Sequence, residues 1–310
     1  MWIKNKKCNL KAICDKNKSQ FLKAKKLKKD LIYYSDPKKM LQEIKPKIVS
    51  IATWKDTHFK MTKLCIKHGV KVIVLEKPLA SNISQAREIL KLIKRYKTKV
   101  LVNHRRRYDK EIIKLKNSLS KGLIGQVIQV SCYYVYGLLT TGTHSVDTLR
   151  FLFNDIAGEI KTVYGFKNNF KNFSSSDDKN FDAVLVFKNG LKVTLQSLDI
   201  KSYDNFDFHI FGKKGKILIT DIGRSIFKYG IQKSVEHSGF TELKQEYSKL
   251  CSSKPRKQFS MLSENAVKCL VNSHTQPLCS AQDSLIDMEI INNIILSAKQ
   301  KSKGKNIKIN

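Results

Sequence analysis

The 310-residue chain has no run approaching the ~18 apolar residues that a membrane-spanning helix requires. Its start, Met1-Trp2-Ile3-Lys4-Asn5-Lys6-Lys7-Cys8, lacks the apolar core of a secretory signal. There is no CxxC pair. The seven cysteines, Cys8, Cys14, Cys65, Cys132, Cys251, Cys269 and Cys279, are odd in number and scattered. That pattern describes free thiols in a reducing cytoplasm and argues against a disulfide framework or a zinc site. Proline is scarce, at 5 residues, and 41% of the chain is apolar, which argues against disorder and collagen. Acidic side chains number only 26 against 59 basic ones, a net charge of +33. Yet arginine is rare within that excess, with eight in the whole chain. Readers of nucleic-acid bases and phosphates favour the planar guanidinium. Lysines spread over almost every predicted helix and turn describe a solvated surface instead. The expectation is a cytoplasmic protein with no nucleic-acid, membrane or metal partner.

The first hundred residues alternate short β-branched runs with longer helical patterns. Leu10–Cys14, Leu31–Tyr34, Lys47–Thr53, Val70–Leu75 and Lys99–Val102 read as strands. Ser19–Lys29, Pro37–Ile44, Asp56–His68 and Ser84–Tyr96 read as helices. Such βαβ units imply a doubly wound parallel sheet covered on both faces. After Asn103 the rhythm changes. Helices at Lys110–Leu119 and Thr141–Phe153 flank a long alternating strand at Gln126–Tyr136. Strand candidates follow at Lys161–Phe166, Ala183–Phe187, Lys192–Ser197, Phe206–Phe211 and Lys216–Thr220. The polar stretch 168–179 reads as a loop between strands, and helices at Ser260–Val271 and Ser280–Lys301 close the chain. The fold class is α/β followed by α+β: residues 1–103 form a Rossmann-like domain, and 104–310 an open, mostly antiparallel sheet with helices on one face.

Chemistry concentrates in a few stretches. Glu76-Lys77-Pro78-Leu79-Ala80 follows a buried strand, where doubly wound sheets bind their ligands. Ala52-Thr53-Trp54-Lys55-Asp56-Thr57-His58 ends the preceding strand, and Gly142-Thr143-His144-Ser145-Val146-Asp147 opens a helix. With VSIATWKDTH, VKVIVLEKPLA, VNHRRRYDKEI, SKGLIGQVIQV and TGTHSVDTLRFLF in order, the chain resembles the Gfo/Idh/MocA oxidoreductases, NAD(P)-dependent sugar and polyol dehydrogenases. The resemblance runs from Asp15 to the final helix. It implies a catalytic pair, Lys77 of the EKP motif and His144 as relay of the substrate hydroxyl proton, a task that suits an imidazole. It implies that Arg106, Thr141 and His144 contact substrate, and that Asp15, Thr53, Trp54, His58, Glu76 and Lys77 form the cofactor site. Asp147 orients the helix or His144. The Asp15 carboxylate repels a 2′-phosphate, so NAD is favoured over NADP, a preference that neighbouring Lys16 softens. The only arginine cluster, Arg105-Arg106-Arg107, points to an anionic sugar-type substrate; local pairing of Arg105 and Arg107 with Asp109 and Glu111 is its structural alternative. The family's substrate domain often mediates oligomers, so a homo-oligomer is expected.

Two departures stand out. The family often has an aspartate four residues before the histidine, and here that residue is Thr140. The glycine-rich phosphate loop normally precedes the ribose-binding acid by ~20 residues, but only 14 residues precede Asp15 and none is glycine. The expectation is that the first strand and its turn are missing, that Met1–Lys7 is the tail of the first helix, and that the start is incomplete. The competing reading is a non-catalytic relative, a sensor or scaffold that keeps the fold without turnover.

Overall fold

The computed structural model describes residues 1–168, 170, 178–251, 255–300 and 305–306. The chain forms two compact units, both discontinuous. One comprises Met1–Tyr108 and Lys254–Leu285, the other Asp109–Ser253 and Ile286–Asn310.

In the first unit the elements run β1 (Ala12–Cys14), α1 (Lys18–Lys25), β2 (Ile32–Tyr34), α2 (Pro37–Ile44), β3 (Ile48–Ile51), α3 (Lys55–Lys67), β4 (Val72–Leu75), α4 (Ile83–Tyr96) and β5 (Lys99–Val102). Every strand pairing among them is parallel. β4 shows why. Its four residues, Val72, Ile73, Val74 and Leu75, are all buried, as expected of a β-branched run enclosed on both faces by crossover helices. Local chemistry sets the helix starts. Asp36 accepts the Lys38 N–H at 2.8 Å ahead of Pro37, and Asn82 accepts the Gln85 N–H at 2.9 Å. The strands divide into two sheets, β1-β2 and β3-β4-β5. A doubly wound order would place one more strand between β1 and β3, and the described residues contain none. Met1–Lys7, expected as a helical tail, contains only a 3₁₀ turn at Trp2–Lys4.

In the second unit α5 (Lys110–Ser120) leads to β6 (Val127–Tyr134), a π-helical turn at Leu138–Gly142 and α6 (Thr143–Ala157). β7 (Ile160–Lys167), β8 (Phe181–Phe187), β9 (Lys192–Ser197), β10 (Phe206–Gly212), β11 (Gly215–Thr220), β12 (Ser225–Lys233) and β13 (Thr241–Cys251) follow. α7 (Pro255–Val271) returns to the first unit. α8 (Ala281–Lys299) begins in the first unit and ends in the second, and β14 is Lys305–Asn306. Among the described residues nine strands form one sheet, ordered β13-β12-β11-β10-β6-β9-β8-β7-β14. Only β6 and β9 pair in parallel. One face is buried: Phe181, Ala183, Leu185 and Phe187 alternate with half-buried neighbours along β8. That face packs with Val146, Leu149 and Phe153 of α6 and Ile290 and Ile294 of α8 into one core.

The hairpin β12-β13 was absent from the sequence expectation. In the polar stretch 168–179, residues 169 and 171–177 lie outside the described residues. Cys8, Cys14, Cys65, Cys132, Cys269 and Cys279 are free thiols. No helix among the described residues is long and apolar enough to cross a membrane.

Candidate functional site

In the first unit, hydrogen bonds knit together the turns at the carboxyl ends of β3, β4 and β5. The Glu76 N–H donates to the Ile51 carbonyl at 3.0 Å, and the Asn103 N–H to the Leu75 carbonyl at 2.8 Å. The Asn103 amide then reaches back to the Glu76 carboxylate at 2.7 Å. His58, only 1% exposed, ties two of the turns from within: Nδ1 lies 2.7 Å from the Pro78 carbonyl oxygen and Nε2 2.9 Å from that of Thr53. Both partners can only accept, so the ring satisfies both at once only as a double donor. His58 thereby braces Thr53 against Pro78, whose peptide bond to Lys77 is cis. Ser81 extends the tie to the start of α3 through the Lys55 carbonyl and the Asp56 carboxylate. Trp54, the N-cap residue of α3, is 86% exposed.

Asp15 follows β1 directly. Its Oδ1 accepts the Asn17 N–H at 2.8 Å, and its carbonyl accepts the Tyr33 hydroxyl at 2.8 Å. The carboxylate is thus held at the end of a parallel strand, where a ribose hydroxyl is bound in dinucleotide folds. Residues 1–14 contain no glycine, so they supply no glycine cradle for the pyrophosphate of a dinucleotide.

Arg105–Tyr108 form a 3₁₀ turn after β5. Arg106 and Arg107 are buried. Arg107 pairs with Asp283 at 3.1 Å and donates to the Leu278 carbonyl at 3.2 Å. Asp109 caps α5 by accepting the Glu111 N–H at 2.9 Å.

In the second unit Thr140, Thr141 and His144 lie on the π-turn and the first turn of α6, a local geometry frequent at functional sites. His144 is half-buried and Asp147 buried. The Thr148 hydroxyl donates to the His144 carbonyl at 2.7 Å. Thr140, the residue in place of an expected carboxylate, has a carboxylate against it: its hydroxyl donates to Asp178 Oδ2, and its N–H does so at 2.8 Å. Neither Asp178 nor the Glu76–Asn103 bond was singled out from sequence. Asp178 sits in a polar run with no motif, and nothing local links it to position 140.

The comparisons agree with this architecture. A family model described as "Oxidoreductase family, NAD-binding Rossmann fold" matches residues 1–104, and one for the GFO/IDH/MocA C-terminal domain matches residues 136–218. The oxidoreductase YhhX of Escherichia coli K12 is 26% identical over 217 residues, 64% of this chain and 57% of that protein. An inositol 2-dehydrogenase of Mycolicibacterium vanbaalenii is 27% identical over 145 residues, 43% of this chain and 42% of the relative. The chain thus aligns with about half the length of these relatives. Among solved structures, the WlbA dehydrogenase of Bordetella pertussis, in complex with NADH and UDP-GlcNAcA, shares the fold with a TM-score of 0.77 at 15% identity, covering 99% of this chain and 92% of that one. Matched in order at both its N-terminal and C-terminal domains, the chain belongs to the Gfo/Idh/MocA oxidoreductase family.

Proposed function

We propose that the protein is an NAD-dependent dehydrogenase acting on a carbinol carbon of a sugar, polyol or nucleotide-linked sugar. The observation that carries this reading is the knitted set of turns at the carboxyl ends of β3, β4 and β5, which presents Lys77 on the same braced platform as Thr53 and Trp54. An inositol dehydrogenase among the relatives supports the substrate class.

Asp15 accepts the hydroxyls of the adenosine ribose, and its charge disfavours a 2′-phosphate. NADP is the second choice, through Lys16. Thr53, Trp54 and Glu76 line the nicotinamide end, braced by His58. When bound, the nicotinamide ring supplies two-electron hydride chemistry. Lys77 hydrogen-bonds the reacting hydroxyl of the substrate. His144 takes up the proton of that hydroxyl on oxidation and returns it on reduction, a role worth ~10²–10⁴-fold in rate. Thr141 hydrogen-bonds the substrate, and Arg106 binds a carboxylate or phosphate group of an anionic one. The half-exposed face of the large sheet, carrying Ile128, Phe166, Ile231 and Leu243, is the surface of a homo-oligomer, which light scattering in solution would detect.

The test compares NADH titration of the 310-residue chain with that of a chain extended at its start by a relative's first strand and glycine-rich turn. Exposed Trp54 reports binding by energy transfer to the reduced nicotinamide. The extended chain binds NADH and turns over a member of a panel of inositols, uronates and UDP-sugars. Lys77→Ala abolishes that turnover with the fold intact, and His144→Asn slows it and flattens its pH dependence. If the extended chain fails to bind NADH, the non-catalytic reading replaces this one. Equal weakening of neutral and anionic substrates by Arg106→Lys would remove the argument for an anionic substrate.

A further inference from the structure

The helical segment that carries His144 has no capping side chain of its own. Its N-cap is Gly137, at φ +85°, and a Cβ built there would overlap the Asp178 carboxylate. The first four N–H groups of a helix have no partner within it. Here all four are taken by one strip of chain about forty residues further on, in antiparallel order. Gly137 N–H donates to Asn180 Oδ1 at 3.1 Å, and Leu138 N–H to the Lys179 carbonyl at 3.1 Å. Leu139 N–H donates to Asp178 Oδ1 at 2.9 Å, and Thr140 N–H to Asp178 Oδ2 at 2.8 Å. The strip is itself pinned, because Tyr134, at the end of β6, donates its hydroxyl to the Phe181 carbonyl at 2.7 Å and accepts the Phe181 N–H at 3.2 Å.

Asp178 is only 7% exposed, and a carboxylate enclosed at a helix N-terminus is stabilised by the orphan N–H groups and the helix dipole. It does more than cap. The Thr140 hydroxyl also donates to it, and residues four apart share a helix face. Asp178 therefore stands on the side of the segment that Thr140 shares with His144, where the side chain of an acidic residue at position 140 would otherwise be.

We infer that Asp178 is a positioning residue for His144: it supplies from another part of the chain the carboxylate that position 140 lacks, and it fixes the π-turn that leads into the first turn of α6, which carries His144. The inference rests on the reading of His144 as the proton-handling residue. Glycine at 137 is part of the device, since any side chain there would exclude the Asp178 carboxylate.

The test reads the ring ¹H and ¹³C resonances of His144 at one fixed pH in the full chain, assigned by their loss in His144→Gln. Asp178→Asn moves these resonances and speeds amide exchange at residues 139 and 140 by about fivefold, the usual effect of losing a cap. The double variant T140D/D178N, which puts the carboxylate on the helix itself, returns the His144 resonances towards their wild-type positions. Thr140→Val, which removes only the hydroxyl bond, moves them in the same direction as Asp178→Asn by less, and serves if the latter fails to fold. Unchanged His144 resonances in Asp178→Asn, or in Thr140→Val where Asp178→Asn does not fold, overturn the inference. So does a double variant whose resonances stay with those of Asp178→Asn. No cofactor or turnover enters this measurement, so its failure leaves the dehydrogenase reading standing, and an inactive extended chain leaves the Asp178 geometry standing.

Discussion

Removing Asp287 should unlock the helix that carries His144. Arg150, on α6, and Asp287, on α8, are each 1% exposed and lie 2.8 Å apart. At an effective dielectric constant near 20, unit charges about 4 Å apart attract by ~4 kcal/mol, and truncating one partner of a buried pair leaves an uncompensated charge at a cost of about 3–5 kcal/mol. Glu159 reduces that cost only in part. It lies 3.5 Å from Arg150 Nε, is partly exposed, and is shared with the Asn154 amide. Asp287→Leu should therefore destabilise the second unit by about 3 kcal/mol. Because the chain has two compact units, one global unfolding curve would blend them. Hydrogen exchange in peptides of α6 and α8 is the suitable assay, and 3 kcal/mol corresponds to opening roughly 100-fold more frequent. Replacing both partners by apolar residues of similar volume, R150M/D287L, should restore protection to within about 1 kcal/mol of the wild type. If Asp287→Leu costs less than ~1 kcal/mol, or the double variant is as unstable as the single one, the pair is not electrostatically coupled in this way.

The elements legible in the sequence are those whose signal is local. Asp36-Pro37 and the run Val72–Leu75 carry their own cap and burial pattern; α2 stands where it was read, and β4 begins at Val72, two residues later than read. The hairpin β12-β13 escaped because Ser225–Lys233 buries only its first two residues and leaves the rest half-buried or exposed. Nothing there forces an apolar alternation. The start of α6 was read at Thr141, whereas the helical segment begins at Leu138. The partners that satisfy its first N–H groups come from residues 178–180, and no window of local sequence contains them. The same limit applies to the arginine cluster. Asp109 and Glu111 are the near acids, yet Arg107 also pairs with Asp283, on a segment that returns to the first unit only late in the chain. The motif strings could be picked out because each is contiguous in sequence. Asp178 and Asp283, which hold the backbone or side chains beside them, lie far from those strings in the chain.

Further perturbations test single contacts. The Lys99 ammonium, with three N–H donors shared among four acceptors, lies 2.8–3.1 Å from the carbonyls of Cys269, Asn272, Ser273 and Thr275, closing the carboxyl end of α7. Lys99→Met should lower the stability of the first unit by about 1.5–3 kcal/mol, seen as faster proteolysis between 269 and 275; unchanged cleavage would show the carbonyls satisfied without it. Gly165 on β7 leaves room for α8, since a Cβ there would overlap the Ile294 carbonyl. Gly165→Ala should cost about 1–3 kcal/mol and speed hydrogen exchange in peptides of β7 and α8, whereas unaltered exchange would mean that the helix moves away freely. Burial pushes the Cys65 thiol up to about 12, so in the folded chain it stays protonated at pH 8 and should resist a disulfide reagent there. Partly exposed Cys8 and Cys14 should be labelled ahead of buried Cys65, Cys132, Cys269 and Cys279. The same displacement fixes a sign for stability. The unfolded thiol ionises near 9 and the folded one near 12, so the unfolded state loses its proton first as pH rises. The stabilisation linked to Cys65 is therefore complete below about pH 9 and is lost as pH rises towards about 12. Cys65→Ala should flatten that alkaline slope, and a slope identical to the wild type would show that the thiol is not the titrating group.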